Sequence, residues 1–192
     1  ALADVMDFTT RMWHETTATL ETPSSRKVLT QKAPMAIFLA LLGLWMLFWL
    51  RARFSGIVAM VLKAGEEASS WQLALVNLSK LVAPSLGAAA LIIAISSAEI
   101  LGFRGTAILN TLPTVAFVLI AAPWLGRSLF GSRKNPVDLI GVSAPTLGYK
   151  ISLVLGLAYA AALLIDAMAT QGNFSSATRA VLFFPMVVVA SW

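Results

Sequence analysis

The residues that could support catalysis or metal binding are few in this chain, and they lie far apart. Glu66 and Glu67 are adjacent in a segment that reads as a polar turn, whereas two carboxylates that share acid–base work must face one substrate from separate positions. His14 is the single histidine and cysteine is absent, so the chain lacks the ligand sets of zinc sites and has no thiol for disulfides or nucleophilic catalysis. The sequence therefore predicts no catalytic residue, no metal, no bound cofactor and no enzymatic activity.

Three further ionisable residues lie inside or beside long apolar runs. Lys80, Glu99 and Asp166 all fall near the ends of those runs. A charged group at the bilayer centre costs about 2.5 kcal/mol or more and usually marks a transport or proton pathway. Positions near the ends instead favour snorkelling or helix capping, although Lys80 could also contact a neighbouring helix around Asn77 or a lipid phosphate. A pump or secondary transporter is therefore disfavoured.

The composition is that of a membrane protein. Hydrophobic residues make up 58% of the chain and charged residues only 12%. The formal net charge of +5 arises from lysines and arginines at the ends of apolar runs, where they can meet anionic lipid headgroups. No basic face interleaved with aromatic residues is present, so we expect membrane lipids and not nucleic acid as partners.

The spacing of apolar runs and charges predicts an all-α, polytopic bundle of about five transmembrane helices. An amphipathic interfacial segment covers residues 1–25, and the transmembrane region covers residues 26–192. Runs of about 18 to 20 apolar residues are long enough to cross a hydrocarbon core of about 30 Å. The predicted spans are residues 33–50, 73–95, 107–125, 151–168 and 177–192, of which the last is expected to be incomplete at Trp192.

Two features within these spans predict how the helices bend and pack. Prolines inside a helix remove a backbone hydrogen bond, and we expect kinks at four of them: Pro84, Pro113, Pro123 and Pro185. Small residues at four-residue intervals let two helices approach closely, and Ser152, Gly156 and Ala160 form such a stripe.

The distribution of positive charge predicts the orientation. The loops after the first and third spans are rich in basic residues, namely Arg51, Arg53, Lys63, Arg127, Arg133, Lys134 and Lys150. The positive-inside rule places these loops in the cytoplasm and the N-terminal side in the periplasm. Arg26, Lys27 and Lys32 oppose this orientation, which implies a sizeable exported domain ahead of Ala1.

Two stretches carry a family resemblance. The run RGTAILNTLPTVAFVLIAAPWLGRSLF from Arg104 to Phe130, together with RAVLFFP from Arg179 to Pro185, resembles the N-terminal membrane region of the large bacterial mechanosensitive channels of the MscS superfamily. These channels carry an extra periplasmic domain. The resemblance implies a homo-oligomer, a heptamer, in the bacterial inner membrane, whose pore helix and cytoplasmic domain would lie outside this sequence.

Within that family the outer helices sense membrane tension through lipids, so the resemblance implies that this chain is a peripheral tension sensor opening under hypoosmotic shock. The candidate headgroup contacts are Arg51, Arg53, Trp124, Arg127 and Arg133. A non-conducting membrane anchor or accessory subunit of a larger complex is the alternative. An enzyme would need a polar catalytic domain outside these residues.

Overall fold

The computed structural model describes residues 1–62, 70–130 and 145–191, and within these ranges the chain forms helices and short turns without strands. The helices are α1 (Leu2–Glu21), α2 (Pro23–Trp45), α3 (Arg51–Val61), α4 (Ser70–Ser97), α5 (Phe103–Leu129), α6 (Pro145–Gly172) and α7 (Ser176–Ala190). A π-helical stretch, Met46–Leu50, joins α2 to α3, so the chain is helical without a break from Pro23 to Val61. The predicted first span, residues 33–50, is therefore the middle of a longer helix.

Within the described ranges, four helices are long and apolar enough to cross a membrane. They cover Ser25–Leu50, Ala74–Ser97, Phe103–Leu129 and Leu147–Gly172, and a shorter apolar helix covers Ser176–Val189. At 1.5 Å per residue, 24 to 27 residues reach about 36 to 40 Å, which exceeds the hydrocarbon core. The predicted fold class, a helical membrane bundle with an amphipathic helix at its start, is confirmed, and the predicted fifth span corresponds to the shorter α7.

The spans pack as antiparallel neighbours in chain order. α2 packs on α4, α4 on α5, α5 on α6 and α6 on α7, while α3 lies along the first half of α4. The α5–α6 and α2–α4 pairs are the most extensive, and the α4–α5 contact that joins them is smaller. The bundle is therefore two tightly paired hairpins that meet along one seam, which we call the α4–α5 seam.

Small residues let the helices of each hairpin approach closely. Among the side chains that the structure describes, nine apolar ones are buried, and five of these are alanines, including Ala160 at 2% exposure. Gly43 of α2 and Gly87 of α4 face each other so closely that a Cβ on either would lie within 2.9 Å of the other's carbonyl oxygen. In a bilayer, close backbone packing replaces the hydrophobic effect as the force between helices.

The small-residue stripe of α6 faces α5. A Cβ on Gly156 would overlap the Cβ of Ala122, and a Cβ on Gly126 of α5 would lie 2.9 Å from the Cβ of Ser152. Ser152 and Gly156 thus lie where α6 crosses α5, and Ala160 is buried one turn further along. The spacing within α6 is compatible with this close approach, while the partner helix is visible only in the structure.

The helices continue through the four prolines that were predicted to kink them. Pro84 lies inside α4, Pro113 and Pro123 lie inside α5, and Pro185 lies inside α7. Pro84 is buried and Pro123 is half-buried, whereas Pro113 and Pro185 are exposed. A proline in a helix leaves the carbonyl four residues earlier without its usual N–H partner. Pro84 and Pro123 therefore each weaken the backbone hydrogen bonding of a helix at the α4–α5 seam.

Helix α1 packs on one end of the bundle against α2, α5 and α6. Its anchor is Phe8, which is 2% exposed and meets the ring of Phe174 edge to face at 5.9 Å between centroids. Asp4 of α1 accepts a hydrogen bond of 2.7 Å from the hydroxyl of Thr178 in α7. The amphipathic segment is thus docked on the helical region by apolar and polar contacts.

Candidate functional site

The two ends of the bundle differ in charge. We call the end on which α1 packs the α1 end, and the opposite end the basic end. All the acidic residues of the described ranges lie at the α1 end: Asp4, Asp7, Glu15, Glu21, Glu99 and Asp166. The basic residues there are equally numerous: Arg11, Arg26, Lys27, Lys32, Arg104 and Arg179. The described part of the basic end carries Arg51, Arg53, Lys80, Arg127 and Lys150 and no acidic residue.

Two cations at the α1 end form ion pairs between neighbouring elements. Lys32 of α2 forms an ion pair with Glu99, which follows α4, and Arg104 of α5 forms one with Glu15 of α1. Lys32 is one of the cations that opposed the predicted orientation. Glu99, the partner of Lys32, is a carboxylate at the same end. The positive charge of Lys32 is therefore offset there and adds little to the charge difference between the two ends of the bundle.

The contacts of α1 also perturb one carboxyl group outside the spans. The hydrogen bond from the Thr178 hydroxyl holds the pKa of Asp4 below its usual range, because it stabilises the ionised carboxylate. The same Thr178 lies in the first turn of α7, where Ser175 accepts a hydrogen bond of 3.2 Å from its backbone N–H as the N-cap. α1 therefore supplies an anion to the first turn of α7, where the helix dipole favours one.

At the basic end, two of the predicted headgroup arginines lie over aromatic rings. The Arg53 guanidinium is 4.9 Å from the centroid of the Trp49 ring, and Trp49 stacks on Trp45 at 5.1 Å. The Arg127 guanidinium is 5.4 Å from the ring of Tyr149 and donates a hydrogen bond of 3.3 Å to its hydroxyl. Both arginines are exposed, and neither pairs with a carboxylate within the described ranges. They therefore keep donors free for a partner outside the chain.

Of the other three predicted headgroup residues, the structure describes the side chain of Trp124 alone. Arg51 begins α3, but its side chain is not among those described, and Arg133 lies outside the described residues. Trp124 is half-buried, and its indole N–H donates a hydrogen bond of 2.8 Å to the backbone oxygen of Asn77 in α4. The one donor of the indole is thus used inside the bundle, and the headgroup contact of Trp124 stays a prediction.

Trp124 belongs to a polar clasp between α4 and α5. Asn77 donates a hydrogen bond of 2.7 Å to the Ser128 hydroxyl, and Ser128 donates one of 2.9 Å back to the carbonyl of Trp124. With the indole bond to Asn77, these three residues form a closed ring of hydrogen bonds. The clasp holds the basic end of the α4–α5 seam together.

A cavity of about 420 Å³ opens beside this clasp, between α3, α4 and α5. Its polar lining is Ser55, Asn77, Lys80 and Arg127, and its remaining lining is Pro84, Leu119, Ile120, Pro123 and Trp124. We call it the basic cavity. Lys80 and Arg127 are 47 residues apart in the sequence, yet both line this one space without a carboxylate beside them in the described structure.

Across the described ranges, no group of three acidic or histidine side chains is placed so that it could hold a metal ion. Comparison of the chain with known protein families, curated proteins and solved structures finds no match.

Sequence reasoning found part of this site. It singled out Arg127 as a headgroup contact and gave lipid phosphate as one partner for Lys80, but it did not bring the two together. Ser55 was not singled out, because a serine on a helix surface carries no distinguishing pattern. The Gly43–Gly87 crossing was also missed, since Gly43 stands alone in its helix without a second small residue at four-residue spacing.

Proposed function

We propose that this chain is the peripheral, tension-sensing transmembrane region of a mechanosensitive channel in the bacterial inner membrane, which opens under hypoosmotic stretch. The observation that carries the proposal is the α4–α5 seam. The hairpin on one side of the seam, α2–α4, is held by close backbone contact at Gly43 and Gly87. The hairpin on the other side, α5–α6, is held by the close approach of two small residues, Gly156 and Ala122. The seam between them holds two cavities, the basic cavity of about 420 Å³ and an apolar one of about 150 Å³ beside Pro113.

A seam of this kind supports a response to tension for a physical reason. Stretching a bilayer favours whichever arrangement of a protein occupies more area in the membrane plane. Helices in lipid are held together without a hydrophobic driving force, so lipid can replace helix contacts at low cost. Because the seam is less densely packed than the hairpins on either side of it, we propose that tension separates α4 from α5.

The clasp supplies resistance at one end of the seam and α1 supplies it at the other. Breaking the clasp exposes an indole N–H and an amide within the membrane interface, where each lost hydrogen bond costs about 0.5 to 1.5 kcal/mol. The ion pair Glu15–Arg104 holds α5 to α1, which also packs on α2 and so bridges the two hairpins. We propose that these contacts set the tension at which the seam widens.

The proposed orientation puts the basic end in the cytoplasm and the α1 end in the periplasm. Its support is the charge difference between the ends. Six acidic and six basic residues balance at the α1 end, whereas the basic end, counted along the whole sequence with its two loops, has eight basic residues against Glu66, Glu67 and Asp138. The proposed partners are membrane lipids and further copies of the same chain, arranged as a heptamer if the family resemblance holds.

Stretch-activated currents from the full-length protein in membrane patches test the function. The chain has no native cysteine, so an introduced pair can lock the seam. We expect the oxidised Asn77→Cys/Ser128→Cys protein to need higher tension to open than the unchanged protein. The reduced protein, which lacks the hydrogen bonds of the clasp, should open below the original threshold. Oxidised Gly126→Cys/Ser152→Cys, which joins α5 to α6 within one hairpin, is the matched control and should open normally.

A protein that stays silent up to lytic tension would overturn the channel proposal. If the silent protein were also found as a single copy beside unlike chains, a membrane anchor or accessory subunit would be the better interpretation. Currents that respond equally to both cysteine pairs would keep the channel but remove the seam as its sensor.

A further inference from the structure

We propose that the basic cavity binds one anionic phospholipid molecule, whose phosphate lies between Lys80 and Arg127. The inference needs the chain to be inserted in a membrane but does not need it to conduct ions, so it can fail or hold independently of the channel proposal. It differs from general attraction of the basic end to headgroups because it names one bounded site between α3, α4 and α5.

The charges that surround the cavity fit an anionic headgroup. Lys80 and Arg127 contribute two positive charges, and the described part of this end contains no carboxylate that could balance them. A zwitterionic headgroup would bring an ammonium group that finds no anionic partner among these residues. Phosphatidylglycerol or cardiolipin brings a phosphodiester with no cation attached. Charge complementarity therefore favours the anionic lipids over phosphatidylethanolamine.

The donors of the cavity also suit a phosphate. The Lys80 ammonium has three N–H donors and the Arg127 guanidinium has five, of which one contacts the Tyr149 hydroxyl. Ser55 adds a hydroxyl from α3 on the third wall of the cavity. Arginine and lysine are the side chains that most often bind phosphate oxygens, the former through its planar fork and the latter as a point charge.

The order of polar and apolar residues along the cavity favours a lipid over a free anion. Pro84 follows Lys80 by one helical turn toward the middle of α4, and Leu119 precedes Arg127 by two turns toward the middle of α5. The cavity is thus cationic near the membrane surface and apolar toward the bilayer centre. A phospholipid has the same order, with its phosphate outside and its acyl chains inside.

Retention of lipid by the full chain, measured by native mass spectrometry after release from nanodiscs, tests the site. The nanodiscs contain equal amounts of phosphatidylglycerol and phosphatidylethanolamine. We expect the unchanged chain to retain phosphatidylglycerol preferentially with a stoichiometry of one. Each surface cation near an anionic lipid contributes about fivefold in affinity, so Lys80→Gln/Arg127→Gln should lower retention by about thirtyfold.

Two further variants separate the site from its surroundings. Lys150→Gln removes the same charge at the same end, yet Lys150 does not line the cavity, so retention should stay within about twofold. Ser55→Trp fills the cavity and leaves both cations in place, and it should abolish selective retention even though the net charge is unchanged.

Three results would overturn the proposal. If Lys150→Gln lowered phosphatidylglycerol retention as much as Lys80→Gln/Arg127→Gln does, the lipid would be held by general attraction to the basic surface and not by the cavity. Equal retention of phosphatidylethanolamine would show that charge does not select the occupant. Displacement of the bound lipid by millimolar inorganic phosphate would show a site for a free anion, with no part for the acyl chains.

Discussion

Gly43 of α2 and Gly87 of α4 are mutual neighbours: a Cβ on Gly43 would lie 2.8 Å from the carbonyl oxygen of Gly87, and a Cβ on Gly87 would lie 2.9 Å from the carbonyl oxygen of Gly43. Because the obstacle on both sides is backbone, no side-chain rotation can relieve it. The α2–α4 hairpin is therefore closed at a single point where only glycine fits on either helix.

Substituting either glycine should separate the two helices. We expect Gly43→Ala and Gly87→Ala each to lower the free energy of unfolding in bicelles by about 1 to 3 kcal/mol, the range for overpacking a closely packed contact. Steric trapping measures this free energy without removing the protein from lipid. The matched control is Gly56→Ala in α3, where a new Cβ meets nothing within 4 Å, and which should leave the stability within about 0.5 kcal/mol. If Gly43→Ala and Gly56→Ala lowered the free energy of unfolding equally, the close contact between Gly43 and Gly87 would be contradicted.

The α5–α6 contact should behave differently, because its obstacle is a side chain. A Cβ on Gly156 overlaps the Cβ of Ala122, while the next nearest atoms are 3.7 Å or more away. Gly156→Ala should therefore destabilise by about 1 to 3 kcal/mol, and Ala122→Gly should rescue it in the double variant. A double-mutant cycle in the same unfolding assay checks this. If the changes in the free energy of unfolding of the two single variants simply added in the double variant, Gly156 and Ala122 would not be in contact.

The docking of α1 should depend on pH through Asp4. Its pKa is lowered by the Thr178 hydroxyl, so the carboxylate stabilises docking above the pKa of an unfolded aspartate, about 3.9, and the contribution is lost as the pH falls through the lower folded value. Spin labels at His14→Cys and Ser176→Cys report the distance from α1 to α7. We expect Asp4→Asn to broaden that distance distribution at pH 7, and the difference from the unchanged chain to vanish well below pH 3.9.

Asp7→Asn is the control for this experiment. Asp7 carries the same side chain three residues further along α1, but it is exposed and its ion pair is with Arg11 of the same helix at 2.7 Å. Its loss should leave the distance distribution unchanged at every pH. A response from Asp7→Asn as large as that from Asp4→Asn would mean that the net charge of α1 matters and the contact with Thr178 does not.

The orientation can be tested directly in a chain without cysteine. Lys150→Cys lies at the basic end, and Ser176→Cys lies at the exposed start of α7 at the α1 end. We expect a membrane-impermeant maleimide added from the periplasmic side to label Ser176→Cys, and Lys150→Cys to react only after the inner membrane is opened. The reverse pattern would overturn the proposed topology and with it the cytoplasmic position of the basic cavity.

The sequence alone predicted the fold class and most of the spans, because insertion into lipid depends on the summed hydropathy of about 20 consecutive residues. It also predicted the clustering of basic residues around Arg53 and Arg127, since charges are excluded from apolar runs and collect at their ends. Both properties are read along the chain and need no knowledge of which helix meets which.

Only the tertiary structure decided which residues meet. Gly43 has no second small residue at four-residue spacing, so nothing in the sequence pairs it with Gly87. Lys80 and Arg127 line one cavity only because α4 and α5 pack side by side in opposite directions. The docking of Phe8 on Phe174 likewise joins residues at opposite ends of the chain. Apolar helices have many faces that lipid solvates equally well, so partners are selected by close steric fit and a few hydrogen bonds, neither of which is encoded in periodicity.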